Sequence, residues 1–275
     1  MKKSILITGC SSGIGYATAH YLHKNGYEVF ATARSEEDVK KLRDEGLTAL
    51  QLDVTDTASI ERALAAVLER TGGTLYALFN NAGYGQPGAL EDVPSEALRE
   101  QFETNVIGLH EMTKRIIPLM RKQGYGRIIQ HSSVLGIISL RFRGAYNASK
   151  YAIEGLCDTL RLELQGSNIH MVTMNTGPIR SSFRDNATVK FLQYVNIEES
   201  VFAQEYEAEV LARQQKKSEN DPFTKEPIEV IEKVLLALEK QRPKPRYYVT
   251  TATHLLGSLK RLLPTSLLDR VLIKV

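Results

Sequence analysis

Ser4-Ile5-Leu6-Ile7-Thr8-Gly9-Cys10-Ser11-Ser12-Gly13-Ile14-Gly15 carries a short apolar run straight into a glycine-rich turn, and from Ile14 to Asn25 the apolar positions recur at helical spacing. Glycines permit a tight turn and let backbone N–H groups approach an anion, which then rests on the positive end of the following helix. Strand, turn and helix stand in the order that a dinucleotide pyrophosphate requires. The residues expected to cradle it are Gly9, Ser11, Ser12, Gly13, Ile14 and Gly15.

The same alternation continues outward from this unit. Short β-rich runs at Ser4–Thr8, Glu28–Ala33, Thr48–Leu52, Leu75–Asn80, Gly126–His131, Ile169–Asn175 and Arg246–Val249 are apolar almost throughout, as expected of strands buried on both faces. Helical spacing fills the intervals: Glu36–Glu45, Ala58–Thr71, Ser95–Gln123, Ala145–Gly166 and Ile228–Lys240. The pattern predicts a single α/β domain over residues 1–275, a Rossmann fold whose doubly wound, seven-stranded parallel sheet has helices on both faces. Two regions depart from the rhythm. Residues 180–227 are polar, dotted with aromatics and partly helical (Glu198–Gln215), and they read as a substrate lid. The tail from Thr250 onward is apolar and basic, and it is expected to pack on its own domain or, by preference, on a second subunit, ahead of a membrane surface.

Composition removes several classes of function. The net charge of +3 arises from 35 basic and 32 acidic residues scattered along the chain, so no basic stripe offers itself to nucleic acid. Cys10 and Cys157 stand far apart, without the clustering of a disulfide framework or a zinc site. With no run near the N-terminus long enough for a signal peptide, a cytoplasmic location is expected.

The second expected strand ends Thr32-Ala33-Arg34, with alanine where an acid would bind the ribose hydroxyls of NAD and an arginine just beyond it. A guanidinium grips phosphate bidentately, so Arg34 points to NADP(H). Farther on, Tyr146 and Lys150 lie four apart and share one helical face. A phenol with a reference pKa of about 10 works as an acid–base group near neutrality only beside a cation that stabilises its phenolate. Lys150 is that cation.

The Gly-x-x-x-Gly-x-Gly spacing, Asn80-Asn81-Ala82-Gly83, Ser132-Ser133-Val134-Leu135-Gly136 and Tyr146-Asn147-Ala148-Ser149-Lys150 together resemble the short-chain dehydrogenases/reductases. Within that family the chain looks most like the 17β-hydroxysteroid and retinol dehydrogenase group and the bacterial aldehyde reductases. The resemblance implies a catalytic tetrad of Asn105, Ser133, Tyr146 and Lys150. It also implies cofactor contacts from Asp53, Val54, Asn81, Ala82, Gly83, Gly177, Ile179 and Ser181, with Thr176 standing where proline is common. The expected reaction interconverts a hydrophobic alcohol and its aldehyde or ketone, in a homodimer formed through the long helices. The contrasting expectation is an inactive NADP(H)-sensing protein of the same fold. His131, next to Ser132, reads as a packed histidine, since neighbouring strand residues face opposite ways.

Overall fold

The computed structural model describes residues 3–211 and 223–275. Seven strands, β1 (Ser4–Ile7), β2 (Glu28–Ala33), β3 (Thr48–Gln51), β4 (Ala77–Asn80), β5 (Gly126–Ser133), β6 (Ile169–Thr176) and β7 (Arg246–Tyr248), form one sheet. Every neighbouring pair is parallel, in the order β3-β2-β1-β4-β5-β6-β7. The order reverses between β1 and β4, and the carboxyl ends of strands at such a reversal are where this architecture binds ligands.

Period-two alternation divides the core. Ile5, Ile7, Val29 and Ala31 face one way and pack with Ala19 and Leu22 of helix Gly13–Lys24, Val39 and Leu42 of helix Glu36–Asp44, and Val230 and Val234 of helix Pro227–Glu239. Leu6, Phe30, Leu78 and Ile128 face the other way, against helices Thr57–Thr71, Leu109–Gln123 and Gly144–Glu163. Both faces are covered, which is why the strands read as continuous apolar runs.

The boundaries differ from expectation where side chains intervene. β4 begins at Ala77 because the Leu75 N–H donates to Gln123 Oε1 (3.0 Å) and the Tyr76 N–H to Ser4 Oγ (3.2 Å) instead of to a strand. β5 and β6 run farther than expected, so that Ser133 pairs with Thr176 at their ends. The helix expected over Ser95–Gln123 is interrupted: Ser95–Phe102 passes through a π-helical turn, Glu103–Gly108, before Leu109–Gln123. At Gly108 a Cβ would lie 2.6 Å from the Val54 carbonyl oxygen, so the turn is pressed against the loop after β3.

The region expected to form a lid is also rearranged. It opens with an unforeseen helix, Phe183–Tyr194, and the described residues of the helix expected over Glu198–Gln215 form Ala203–Glu205 and a π turn, Tyr206–Leu211. Residues 212–215 of that expected helix, and lid residues 216–222, lie outside the described residues. An aromatic cluster holds the lid. The Tyr206 ring packs edge-on against Phe142 (5.2 Å between centroids) and Phe191 (4.9 Å), while its hydroxyl accepts from the Ala89 N–H (2.8 Å) and donates to Asp92.

The tail forms helices Thr251–Leu262 and Thr265–Leu272. Leu256 and Leu272 pack against Val134, Leu135, Ile138 and Tyr146 of the same chain. One face of the tail therefore meets its own domain, one of the two packings expected of it.

Candidate active site

The glycine turn and the Asn80–Gly83 segment are built against each other. Thr8 Oγ1 accepts from the N–H groups of Asn81 and Ala82, both at 2.9 Å, and Asn81 Nδ2 donates to the carbonyls of Thr8 (3.0 Å) and Gly9 (2.9 Å). Gly9 adopts φ 71°, and a Cβ at Gly15 would lie 2.2 Å from the Gly9 carbonyl oxygen. No side chain can be accommodated at Gly15 without moving backbone. Helix Gly13–Lys24 then begins with no side-chain cap and no acidic residue in its first turn. Its leading N–H groups and positive dipole end are thus left for an anion, and the cradle suits the pyrophosphate of a dinucleotide.

Ser133 ends β5, and Tyr146 and Lys150 lie on the buried side of helix Gly144–Glu163. The Ser133 hydroxyl lies beside the phenol of Tyr146 and donates to the Thr176 carbonyl at 3.4 Å, and Lys150 Nζ sits 5.5 Å from the Tyr146 ring centroid while donating to the His131 carbonyl at 2.6 Å. Burial pushes the Tyr146 hydroxyl above its usual range, with the Ser133 contact acting in the opposite direction. A phenol so placed keeps its proton at neutral pH. Burial lowers Lys150 to about 8, and the carboxylate of Glu154, one turn along, favours its charged form.

Asn105 emerges from the π turn. Its Oδ1 accepts from the Tyr84 N–H (3.1 Å), and its Nδ2 donates to the Tyr84 carbonyl (2.9 Å) and to Ser149 Oγ (3.2 Å). Its amide thus ties the loop that follows Gly83 to the tyrosine helix. Gly177 is forced by Thr250, whose Oγ1 would lie 2.2 Å from a Cβ there. Ile179 bridges Lys225, and Ser181 Cβ stands 2.9 Å from where a Gly13 side chain would begin. The segment after β6 therefore reaches back over the glycine turn.

At the end of β2, Arg34 is exposed and its guanidinium has no protein partner among the described residues. Ser35 is occupied as the cap of helix Glu36–Asp44, accepting from the Asp38 N–H at 3.1 Å. After β3, Asp53 Oδ1 accepts from both the N–H (2.9 Å) and the hydroxyl (2.7 Å) of Thr55, an arrangement that orders the turn. Val54 is buried beside it.

His131 has a larger part than packing. Asn81 spends its amide N–H groups on Thr8 and Gly9, so its Oδ1 must accept from His131 Nδ1–H (3.0 Å), which leaves Nε2 to accept from the Thr176 hydroxyl (3.2 Å). Burial, with Lys150 nearby, lowers His131 to about 3 and keeps it neutral. A polar chain of Asn81, His131 and Thr176 thus joins the glycine turn to the end of β6. Threonine in place of the family's usual proline is the sequence signal that could have revealed it.

A family model described as short chain dehydrogenase matches residues 3–190. An uncharacterized oxidoreductase of Escherichia coli K12, YbbO, is 40% identical over 272 residues, covering 99% of this chain and 94% of that protein. An NADPH-dependent 3-dehydrocapnine reductase of Ornithobacterium rhinotracheale is 28% identical, covering 98% of this chain and 95% of its own length. Among solved structures, a short chain dehydrogenase/reductase of Burkholderia phymatum in complex with NAD superposes with a TM-score of 0.78 at 26% identity, covering 95% of this chain and 92% of its own.

Proposed function

The chain belongs to the short-chain dehydrogenase family, and on that premise we propose that it is an NADP(H)-dependent oxidoreductase interconverting a hydrophobic alcohol and its aldehyde or ketone. The observation that carries this reading is Tyr146, flanked by Ser133 and Lys150 and set in a wall of Val134, Leu135, Ile138, Leu256 and Leu272. An acid–base group facing apolar side chains suits a carbonyl carried on a hydrocarbon skeleton.

When bound, the nicotinamide supplies or accepts the hydride. The chain's own residues do the remainder. The turn from Gly9 to Gly15, with Ser11, Ser12, Gly13 and Ile14, receives the pyrophosphate on backbone N–H groups. Asp53 and Val54 flank the adenine, and Asn81, Ala82 and Gly83 line the adjoining wall. Gly177, Ile179 and Ser181 hold the carboxamide. In the reducing direction Tyr146 Oη gives its proton to the substrate oxygen, and the hydroxyl of Ser133 orients that oxygen and stabilises its developing charge. Lys150 then stabilises the Tyr146 phenolate and holds the ribose, and Asn105 fixes the helix beside it. NADP(H) is favoured by Ala33, which leaves no carboxylate against a 2′-phosphate, and by the unpartnered Arg34. The NADPH dependence of the 3-dehydrocapnine reductase agrees with this choice.

Tyr146→Phe is the decisive variant. Turnover should fall by roughly 100-fold to 10,000-fold while NADPH still binds, and unchanged turnover would remove the mechanism. For the cofactor, kcat/KM with NADPH should exceed that with NADH; parity or better with NADH would overturn the Arg34 assignment. A homodimer through helices Leu109–Gln123 and Gly144–Glu163 and a cytoplasmic location complete the reading. No helix among the described residues is long and apolar enough to cross a membrane.

A further inference from the structure

The two tail helices are amphipathic in an unusual sense, because apolar residues occupy both their inner and outer sides. In helix Thr251–Leu262 the inner side is settled: Thr253 and Gly257 are buried, and a Cβ on Gly257 would lie 2.9 Å from the Tyr248 ring. Leu255, Leu259 and Leu262 follow at i, i+4 and i+7, which sets them in a stripe on the opposite side. Leu255 is 56% exposed and Leu262 78%. Beyond the turn at Pro264, helix Thr265–Leu272 buries Leu268 yet exposes Leu267 and Val271, and Ile273 follows at 71% exposed. Water gains nothing from such a surface, which needs a cover.

The charges around it indicate which cover. Lys260, Arg261, Arg270 and Lys274 are all exposed, none has an acidic partner among the described residues, and Asp269 is the one acidic side chain from 251 to 275. A second copy of the chain would set these cations against each other. An anionic surface would neutralise them while its apolar interior received the leucines, and such helices lie in the plane of a membrane rather than across it.

We propose that the tail is a docking surface for anionic lipid bilayers. It delivers lipid-dissolved carbonyls to Tyr146, since Leu256 and Leu272 on the inner side of the same helices form part of the Tyr146 wall. The delivery half of this inference rests on the function proposed above; the docking half does not.

The test is flotation of the full NADPH-loaded protein with vesicles of phosphatidylcholine alone or mixed with phosphatidylglycerol. Binding should require phosphatidylglycerol and weaken with added salt. Lys260→Glu with Arg261→Glu should weaken it by roughly tenfold or more, and Leu262→Asp with Ile273→Asp should release the protein. All four positions are exposed, and thermal melts establish that the variants fold. Equal binding to both vesicle types, binding unaltered in the variants, or no binding at all would overturn the proposal. So would a dimer in sedimentation that these same variants dissociate without any vesicle binding. Reduction of a water-soluble aldehyde by the unaltered protein separates the two claims: turnover without vesicle binding defeats docking alone, and vesicle binding without turnover of any carbonyl defeats the function alone.

Discussion

The glycine turn and the lid meet where Ser181 closes on Gly13, and they are held by different chemistry. The turn is fixed by backbone groups: Asn81 and Thr8 satisfy amides and carbonyls, and no room exists for a side chain at Gly15. The lid is fixed by ring against ring, with one buried hydroxyl, that of Tyr206, pinning it to Ala89 and Asp92. Backbone cradles fit one shape of ligand, whereas packed side chains can change to fit many. The contrast suits an enzyme with a constant cofactor and a variable substrate.

The comparison breaks first at Gly15. Gly15→Ala should weaken NADPH binding by on the order of 100-fold in a fluorescence titration, because backbone must shift at the cradle itself. Wild-type affinity would mean that the close approach holds nothing in place. On the lid side, Tyr206→Phe leaves the Ala89 N–H without its partner and takes from Asp92 one of its two hydroxyl donors, the other being Ser200, at a cost of about 1–3 kcal/mol in denaturant unfolding. NADPH affinity should not change, and a parallel loss of it would show that the two regions are one unit.

Between them lies the Lys150 switch. Lys150 is charged below about 8, and in the proposed mechanism that charge stabilises the phenolate, so kcat/KM for reduction should decline as pH rises through about 8. Glu154 favours the charged form, so Glu154→Gln should move that decline to lower pH. Glu154 also accepts from Asn175 Nδ2 (2.6 Å) and Arg246 Nε (2.9 Å), which calls for a melt alongside the pH profile. An unmoved limb in a folded variant would remove Glu154 from the electrostatics of the site. The smallest effect belongs to the lid's outer fastening, where Lys190 pairs with Glu100 at 2.7 Å. Lys190→Met should cost at most about 1 kcal/mol, since half-exposed ion pairs contribute little.

Legibility followed the same division. The glycine spacing, the strand runs and the Tyr146–Lys150 pair were readable because each rests on local rules of turn conformation, alternation and helical stacking. The helix Phe183–Tyr194 escaped, since only Thr188 and Phe191 are buried along it and no continuous apolar stripe announces it. His131 was read as packed because alternation says only which side of a strand it leaves. That it bridges Asn81 and Thr176 depends on strand neighbours separated by dozens of residues.

The sequence by itself determined the parallel sheet and the glycine turn, and it singled out the residues proposed for the chemical centre, because short-range backbone and periodicity requirements leave few alternatives. Tertiary structure alone decided what surrounds that centre: a tail folded back so that Leu256 and Leu272 wall Tyr146, and a lid seated on Tyr206. Such contacts join residues far apart in the chain, and apolar attraction has no direction, so the pattern of leucines states that they will be covered without stating by what.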